Sequence, residues 1–284
     1  LKEATLEHIA VLELDSWQLQ GWGEAKMSPN ISVFTTFYHD HLNYYGGNVG
    51  AYLADKAKIF LHQKSDDTLI LGKQCAPTVI EKYGDKIESK IIVVDELKLP
   101  DTWTLCIPGM HNRYNAALAL AVARAIGVAD SVSRRTLESF AGVPGRLELI
   151  AEKKGVKIYN DTTATTPEAT LAALQALQPT IYNLQPRIIL IMGGADKSLD
   201  MNALLVKLAE VKRVILLAGT GTSRILEFLP NASVFDTLSA AVDEAFLTAE
   251  SGDTILFSPA FTSFGMFKNE FDRGDQFNVL IKNL

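Results

Sequence analysis

Four threonines and one aspartate crowd into residues 161–166, between a short apolar run and a stretch with helical character. A helix that begins with Pro167 and Glu168 needs one side-chain cap, which Thr165 or Thr166 can supply. The other hydroxyls exceed what capping requires. Free N–H groups and the helix dipole at a helix start attract anions, so the surplus favours a ligand site as strongly as it favours simple capping.

Carboxylates and histidines follow two earlier apolar runs. Glu13 and Asp15 come at the end of the run "IAVLEL". Mg²⁺ binds hard oxygen ligands, often one or two protein carboxylates together with nucleotide phosphates. Either carboxylate suits that role, and a solvated strand end is the alternative. His39 and His41 flank Asp40 in a loop rich in aromatic residues, where each is a candidate ligand or acid–base group, and an exposed loop histidine is the alternative.

Two further patterns place polar side chains on predicted helices. Lys56 lies one helical turn from Tyr52 and from Phe60, so the spacing predicts that it shares their buried face. An ordinary amphipathic lysine is the alternative. Asn112 and Asn115 lie three residues apart and share a helix face. Their amides both donate and accept hydrogen bonds, which suits a purine edge, whereas capping by Asn112 alone is the simpler explanation.

Two glycine-rich stretches follow strand-like runs without completing a nucleotide motif. The stretch "GGADKS" at 193–198 lacks the spacing G-x-x-x-x-G-K-[ST], because Asp196 precedes Lys197. The stretch "AGTGTS" at 218–223 is followed by Arg224, where G-x-G-x-x-G requires glycine. Neither stretch indicates nucleotide binding by itself.

The elements that must position these residues alternate between short, branched apolar runs and longer helical patterns. Strands are predicted at 9–14, 31–37, 68–72, 90–95, 157–160, 187–194, 213–219 and 254–259. Helices are predicted at 48–62, 112–126, 133–140, 167–177, 201–209, 222–228, 237–250 and 274–283. This alternation predicts an α/β fold with mostly parallel sheets, in which ligands gather where strands end and helices begin.

A domain boundary is predicted within "AGVPGRLELI", which places one proline and two glycines between a helix and a new strand. The predicted domains are residues 1–142 and 143–284, and the second would be a doubly wound sheet by itself. Because residue 1 falls within an apolar pattern, we expect the chain to be the later part of a longer protein.

Composition narrows the class of protein. The chain has 284 residues, of which 48% are hydrophobic and 21% charged, as in a folded globular protein. A net charge of −6 argues against a nucleic-acid-binding or anionic-membrane surface. No apolar run is long enough to span a bilayer. The two cysteines, Cys75 and Cys106, lack metal or redox spacing, so we expect a reduced, cytoplasmic setting.

Eight motifs in order resemble the Mur ligase family, whose ATP-dependent members build the peptide stem of bacterial peptidoglycan. They are "ELDSWQL", "DHLNYYG", "AKIF", "HNRYNAALA", "GVPGRLE", "NDTTATTPEA", "GGADKS" and "SPAFTSFGMFKNEFDRGDQF". The last motif resembles the branch that adds D-glutamate. The relatives that add diaminopimelate or lysine carry an Asp-Asn-Pro-Arg-type motif that this chain lacks.

The resemblance implies the remainder of a central ATPase-type domain followed by a C-terminal Rossmann-like ligase domain. It also implies a metal and catalytic centre in the first of them. Glu13 and His41 would be magnesium ligands. Lys56 matches a lysine that is carbamylated in the family, which turns a cation into an anion that helps to hold a second Mg²⁺. His41 and Lys56 would thus act directly in catalysis.

The resemblance also implies binding residues for ATP and for the incoming amino acid. Asn112 and Asn115 would face the adenine, and Arg146 and Asp161 would bind ATP from the second domain. The residues that would hold D-glutamate are Thr165, Lys197, Ser263 and Phe264. Lys197 and the region of Ser263 would engage its side-chain carboxylate.

The implied reaction joins D-glutamate to UDP-N-acetylmuramoyl-L-alanine through an acyl phosphate, with release of ADP and phosphate. A cytoplasmic monomer that binds neither nucleic acid nor membrane is expected. In this family a uridine-nucleotide domain and a phosphate loop come first. Neither is in these residues, so the chain alone is expected to be inactive.

Two positions depart from the family pattern. Thr163 stands where many relatives have a lysine, which leaves any phosphate role of this position unassigned. Glu270 stands where some relatives carry a phenylalanine that faces the substrate, and Phe271 is one residue off, so neither is given a role.

Three alternatives differ in class. The first is another amide ligase of the superfamily, similar to folylpolyglutamate synthase, which should differ in the stretch "SPAFTSFGMFKN". The second is a non-catalytic Mur-ligase-like subunit of an amidotransferase, disfavoured by the absence of a four-cysteine zinc ribbon. The third is a dinucleotide-dependent oxidoreductase, disfavoured by the incomplete glycine motifs.

Overall fold

The computed structural model forms two compact units. It describes residues 5, 8–38, 40, 44–178 and 187–284. The first unit extends to Lys98 and adds Ala117–Asp130, and the second contains Leu99–Ala116 and Ser131–Leu284. The division therefore crosses one helix, α4 (Met110–Ala125). Within these described ranges, no helix combines the length and the apolar character that a membrane span needs.

The first unit is built on a three-stranded parallel sheet in the order β1-β2-β3. Its helices and strands are α1 (Ser16–Glu24), β1 (Ile31–Phe34), α2 (Val49–Ala57), β2 (Thr68–Gly72), α3 (Ala76–Tyr83) and β3 (Lys90–Val94). Leu69, Ile70 and Leu71 of the central strand are fully buried, as expected when both faces of a parallel sheet are covered. Phe60 from the segment after α2 packs into the same core.

The predicted strand at 9–14 is wrong. Ile9, Val11 and Leu12 are 66%, 92% and 59% exposed. A strand is defined by hydrogen bonds to a neighbouring strand, and this segment pairs with none in the part of the chain that the structure describes. Helix α1 follows it, and a capping box starts that helix. Asp15 accepts a hydrogen bond from the Gln18 amide at 2.8 Å, and the Gln18 side chain accepts one from the Asp15 amide at 2.9 Å.

The second unit is built on a six-stranded sheet in the order β4-β5-β9-β6-β7-β8. Only β4 is antiparallel to its neighbour. Its strands are β4 (Glu148–Lys153), β5 (Val156–Asn160), β6 (Ile188–Gly193), β7 (Arg213–Leu217), β8 (Ser233–Phe235) and β9 (Thr254–Phe257). Its helices are α5 (Asp130–Ser139), α6 (Pro167–Leu177), α7 (Asn202–Leu208), α8 (Thr220–Ile225), α9 (Leu238–Thr248) and α10 (Glu270–Asn283).

Side chains of this sheet alternate between two covered faces. Leu190 and Met192 of β6 belong to the core that α6, α7 and α8 cover. Ile189 and Ile191 belong to the core that α9 and α10 cover. Every residue of β6 is therefore buried, which explains its continuous apolar sequence. The result is a three-layer α/β/α unit.

The direction of the connections changes at β9, which pairs in parallel with both β5 and β6. β6 continues towards α7 on one face of the sheet, and β9 continues towards α10 on the other face. Where the connections of neighbouring strands leave on opposite faces, open α/β sheets bind ligands at the C-terminal strand ends. The segments that follow β5, β6 and β9 meet at this edge.

The predicted α/β class with parallel sheets and a doubly wound second domain is confirmed. The helices α1 and α3 and the two edge strands β4 and β8 were not among the predicted elements. The predicted boundary between residues 142 and 143 stays a prediction.

Candidate functional site

Asp161 lies directly after β5, at the C-terminal edge of the sheet. Its side chain is 7% exposed, and both carboxylate oxygens accept hydrogen bonds from the protein interior. One accepts from the Leu147 amide at 2.9 Å and the other from the Ser258 hydroxyl at 2.7 Å. The Ser258 hydroxyl also lies 2.9 Å from that of Thr170. Asp161 therefore joins the ends of β5 and β9 to the segment before β4.

Burial governs the protonation of Asp161. Desolvation raises the pKa of its carboxyl group from 3.8 to about 7, although the hydrogen bonds from Ser258 and Leu147 and the charge of Arg146 oppose the shift. A carboxyl that titrates near neutrality is common at functional sites. Because Asp161 is buried, ionisation of its carboxyl group also changes the free energy of unfolding.

The loop that carries Arg146 is fastened on both sides. Before it, the carbonyl of Gly145 accepts hydrogen bonds from the Thr163 amide at 3.1 Å and from the Thr163 hydroxyl at 2.9 Å. After it, the Leu147 amide donates to Asp161. The backbone is thereby fixed while the side chain of Arg146 stays exposed. A cation that is held by its backbone and open to solvent is suited to bind an anion.

The threonine hydroxyls that motivated the ligand hypothesis serve mostly internal bonds. Thr166 is the N-cap of α6, with its hydroxyl 3.4 Å from the Ala169 amide. The Thr162 hydroxyl donates to the Glu270 carbonyl at 2.8 Å. Among the described residues, Thr165 alone of the four makes no side-chain hydrogen bond, and it is half-buried. Thr165 is thus the threonine best placed to serve a ligand.

The segment after β6 places Lys197. Ala195 and Thr262 form an antiparallel bridge, with N–H···O distances of 3.0 and 3.2 Å between their backbones. This bridge holds the Lys197 segment against the segment of Ser263 at the ends of β6 and β9. Asp196 pairs with Arg224 at 3.0 Å, and Lys197 is half-buried beside them.

Glycines after β6 and β7 allow their backbones to approach. A Cβ on Gly194 would lie 2.3 Å from the Thr262 carbonyl oxygen, and one on Gly219 would lie 2.3 Å from that of Gly194. A Cβ on Gly221 would lie 2.3 Å from the ring of Phe261. These distances are too short for any side chain. The glycines of "AGTGTS" therefore serve backbone packing, which accounts for a motif that fits no nucleotide fingerprint.

Ser263 and Phe264, predicted to bind the amino acid, follow the Ala195–Thr262 bridge. Ser263 is buried at 3% exposure, and its carbonyl accepts a hydrogen bond from the Phe267 amide at 3.1 Å. Phe264 is 69% exposed. The structure therefore brings Ser263 and Lys197 to the same edge and leaves the ring of Phe264 open to solvent.

Sequence reasoning gave no role to Arg273, which is fully buried in α10. Its guanidinium donates to the Thr162 carbonyl at 2.7 Å, the Thr162 hydroxyl at 3.2 Å and the Phe261 carbonyl at 3.1 Å. The next residue, Gly274, approaches the same turn, since a Cβ there would lie 2.5 Å from the Thr162 methyl carbon. No local pattern in the sequence marks this role, because the contact with Thr162 spans 111 residues.

Asn112 and Asn115 begin α4, within the second unit. The Asn112 side-chain amide donates to the Pro108 carbonyl at 2.7 Å. Asn115 is exposed and Asn112 is half-buried. Within the described ranges, the side-chain oxygen of Asn112 and the amide of Asn115 have no hydrogen-bond partner, so they could meet the edge of a base.

In the first unit, Lys56 lies among aromatic rings and carboxylates. Its ammonium nitrogen lies 5.9 Å from the centroid of the Tyr52 ring. Burial lowers the pKa of Lys56, while the negative charges of Asp15, Asp40 and Glu13 act in the opposite direction. A lowered pKa increases the fraction of neutral amine, which is the form that reacts with CO₂ to give a carbamate.

The helices that carry this region are tied together by Asp55. Its carboxylate accepts hydrogen bonds from Gln20 of α1 at 2.7 Å, from Tyr45 at 3.0 Å and from Lys58 at 2.7 Å. These bonds lower the pKa of Asp55 against the opposing effect of desolvation, its largest single influence. The middle of α1 is thus held beside α2, which carries Lys56.

The predicted metal ligands are only partly described. Glu13 is exposed, and its charge acts on Lys56. His41, predicted as both a metal ligand and a catalytic group, lies outside the described residues. Within the described part of the chain, no group of three or more His, Cys, Asp or Glu side chains could hold a metal ion.

Comparisons with known proteins identify the family to which this chain belongs. The model of the Mur ligase middle domain matches residues 2–98, and that of the Mur ligase glutamate ligase domain matches residues 145–261. The UDP-N-acetylmuramoylalanine–D-glutamate ligase of Aquifex aeolicus is 32% identical over 287 residues, covering 97% of this chain and 67% of that protein. The chain belongs to the Mur ligase family.

The identically named ligase of Roseiflexus sp. (strain RS-1) is 36% identical over 310 residues. The match covers 96% of this chain and 65% of the relative, so the chain spans about two thirds of the length of such Mur ligases. Among solved structures, the MurF ligase of Thermotoga maritima in complex with ADP superposes with a TM-score of 0.70 at 18% identity. That superposition covers 95% of this chain and 66% of the other, and it supports the fold.

The two Mur ligase models divide the predicted site residues into three groups. Glu13, His41 and Lys56 fall within the middle-domain match. The glutamate-ligase match contains Arg146, Asp161, Thr165 and Lys197. Asn112, Asn115, Ser263 and Phe264 fall outside both matches. Their assignments depend on the motifs and on where the structure places them.

Proposed function

We propose that the full-length protein containing this chain is a ligase that joins D-glutamate to UDP-N-acetylmuramoyl-L-alanine with ATP. The observation that carries the proposal is the similarity to relatives with that name over nearly the whole chain, 36% identity over 96% of it in one case. The strand-end site of the second unit supports it, because the Ala195–Thr262 bridge joins the segments that carry Lys197 and Ser263. Since its substrates are ATP and a UDP-linked sugar, we place the reaction in the cytoplasm.

The side chains around Lys56 suit Mg²⁺. Glu13, Asp15 and Asp40 carry the carboxylate oxygens that this ion prefers, and their charges act on Lys56, but these three side chains alone form no group that could hold a metal ion. A carbamate on Lys56 would add two more oxygens, formed when the neutral amine attacks CO₂ and loses one proton. Glu13 and His41 would hold one Mg²⁺, and carbamylated Lys56 would help to hold a second. When bound, Mg²⁺ would neutralise charge that develops on the transferring phosphoryl group.

The nucleotide side of the second unit combines amides with an anchored cation. Asn112 and Asn115 would bind the adenine edge through amide donors and acceptors. Arg146 would contact an anionic or ribose oxygen of ATP, because its backbone is fixed and its side chain is exposed. Asp161 would act on ATP through the Arg146 loop that it fastens, since both of its oxygens already accept internal hydrogen bonds.

The amino-acid side combines one flexible cation with small hydroxyl groups. Lys197 would bind the side-chain carboxylate of D-glutamate, with Thr165, Ser263 and Phe264 completing the pocket. The amine of D-glutamate would then attack the acyl phosphate formed from the alanine carboxylate and the γ-phosphate. A C–N bond forms, the C–O bond to phosphate breaks, and inorganic phosphate leaves. Orientation of the amine is the main contribution of this side of the site.

The test is a choice among amino acids by the full-length protein. Purified protein receives ATP, Mg²⁺ and UDP-N-acetylmuramoyl-L-alanine, together with D-glutamate, L-glutamate, L-lysine or diaminopimelate, and phosphate release is measured. We expect release with D-glutamate only, and none when the UDP-linked substrate is omitted. Release with L-lysine or diaminopimelate but not with D-glutamate would contradict the proposal. So would release with L-glutamate and a folate in place of the UDP-linked substrate.

A further inference from the structure

Arg273 is an unusual residue for a protein interior. Its side chain is fully buried, yet among the described residues it forms no ion pair with a carboxylate. All three of its hydrogen-bond acceptors are neutral: two carbonyl oxygens and one hydroxyl. Burying a charge without a direct ion pair costs free energy, and the nearby charge of Glu270 offsets only part of that cost. Burial lowers the pKa of Arg273 only to about 10, so the guanidinium remains charged at neutral pH.

The acceptors of Arg273 belong to the two turns that carry the site. Thr162 lies in the turn after β5, and Phe261 lies in the segment after β9. A guanidinium is a rigid planar fork, so one side chain fixes the separation of two carbonyl groups, which a lysine ammonium cannot do. Arg273 therefore acts as a cross-link between the ends of two strands.

In each turn, the residue that follows the one bound by Arg273 forms a backbone or side-chain hydrogen bond that holds one side of the candidate site. Thr163 follows Thr162 and binds the Gly145 carbonyl, which precedes Arg146. Thr262 follows Phe261 and bridges to Ala195, which lies two residues before Lys197. Arg273 thus binds the residue before Thr163, which holds the Arg146 loop. It also binds the residue before Thr262, which forms the bridge near Lys197.

We propose that Arg273 is a positioning residue that sets the spacing between the Arg146 side and the Lys197 side of the candidate site. The proposal rests on the proposed function for its kinetic consequence, although the cross-link itself does not depend on the substrate. Arg273 touches neither substrate. Its loss should weaken the binding of ATP and D-glutamate together, whereas loss of a residue that contacts one substrate should weaken the binding of that substrate alone.

The test compares Arg273→Lys and Arg273→Met with Phe277→Leu in the full-length protein. Phe277 is a matched control because it is fully buried one turn further along α10, where its ring packs against Phe257 with 4.6 Å between the ring centroids. We expect Arg273→Lys to raise the KM for ATP and the KM for D-glutamate by roughly tenfold each. Phe277→Leu should lower the melting temperature but leave both KM values unchanged.

Amide hydrogen exchange provides a second readout that needs no substrate. In Arg273→Lys, exchange at the amides of Thr163 and Thr262 should accelerate, while exchange within β6 stays as in the natural protein. If Arg273→Met fails to fold, Arg273→Lys carries the test. Unchanged exchange at both amides, or kinetics that match those of Phe277→Leu, would overturn the proposal.

The two proposals fail in different ways. If the natural protein does not use D-glutamate, the proposed function is wrong, and the exchange measurement still decides whether Arg273 positions the turns. If the natural protein uses D-glutamate but Arg273→Lys changes only one KM value, the positioning role is wrong and the function stands.

Discussion

The strand-end site of the second unit and the Lys56 region of the first unit are constructed in different ways. At the strand ends, side chains and backbone groups satisfy one another: Asp161 uses both oxygens, and the Ala195–Thr262 bridge joins two segments. Around Lys56 the carboxylates act through their charge, and Glu13 is exposed. Internal hydrogen bonds define the first arrangement, and electrostatic balance defines the second.

This difference indicates where each site obtains its geometry. A site fixed by hydrogen bonds is pre-organised, so its ligand need not supply the free energy that orders it. The carboxylates around Lys56 repel one another, so the binding of a positively charged group, such as a divalent cation, stabilises them. Substitutions in the second unit should therefore change stability as well as binding. Substitutions at Lys56 should change activity with little loss of stability.

The largest expected effect is on turnover when Lys56 is replaced. Lys56→Ala should lower kcat of the full-length protein by about a thousandfold, because an anionic ligand of the metal would be lost, and Lewis-acid stabilisation is worth several kcal/mol. Lys56→Arg should be equally inactive, since arginine retains charge but forms no carbamate. Melting temperatures of both variants should stay close to that of the natural protein.

The carbamate itself can be detected with ¹³C-labelled bicarbonate. A carbamate carbon resonance is expected in the natural protein and should be absent from Lys56→Arg. Full activity in Lys56→Arg would show that a carbamate on Lys56 is not needed for catalysis. The proposed difference between the two regions would then be wrong.

The next largest effect concerns Asp161 and the pH dependence of stability. The folded pKa of about 7 lies above the ordinary value of 3.8. Between these values the folded state retains a proton that the unfolded state has lost, so the free energy of unfolding falls as pH rises through this window. The fall should be on the order of 2–4 kcal/mol.

Asp161→Asn isolates that charge. The amide oxygen can still accept from Leu147, and the amide nitrogen can donate to the Ser258 hydroxyl, which lies within reach of Thr170 as an acceptor. Urea denaturation at several pH values between 4 and 8 should show a smaller pH dependence in this variant. An identical pH dependence in both proteins would mean that Asp161 is ionised throughout the range.

A smaller effect is expected for Lys197. A charge-assisted contact with a carboxylate is worth about 1.5–3 kcal/mol, so Lys197→Ala should raise the KM for D-glutamate roughly ten- to a hundredfold. The KM for ATP should change far less. Steady-state kinetics with each substrate varied in turn measures both constants. An equal shift in the two constants would assign Lys197 to a shared role such as the one proposed for Arg273.

Much of the second unit could be predicted from its sequence because both faces of its sheet are buried. Continuous apolar runs such as Ile188–Gly193 have few alternatives to a central parallel strand. The helix predicted at 167–177 has the same bounds as α6. Its start was predictable because Thr166 is a good N-cap and Pro167 is favoured in the first turn. The wrong strand at 9–14 shows the limit of the same reasoning. An apolar run predicts a strand only where a neighbour can pair with it.

Site residues were predictable where the chemistry lies in the side chain itself. Asp161, Lys197 and Ser263 all lie at strand ends of one sheet, as the alternation of strands and helices implied. Arg273 was not predictable, because its importance depends on contacts with Thr162, 111 residues away in sequence. Such pairing depends on strand order, and no local pattern contains that order.

The smallest expected effect separates capping from ligand binding at the turn with the four threonines. Thr166 caps α6, and Thr237 caps α9 with its hydroxyl 3.2 Å from the Ala240 amide. Loss of an N-cap hydroxyl costs about 1 kcal/mol, so Thr166→Ala and Thr237→Ala should destabilise the protein by similar amounts in urea denaturation. Only Thr166→Ala should also raise the KM for D-glutamate, by roughly two- to fivefold, because the cap holds the neighbouring Thr165 at the helix start. Thr166→Ser, which keeps the hydroxyl, should restore both stability and KM. Equal KM values in the two alanine variants would show that this helix start serves α6 alone, and the surplus hydroxyls would then be purely structural.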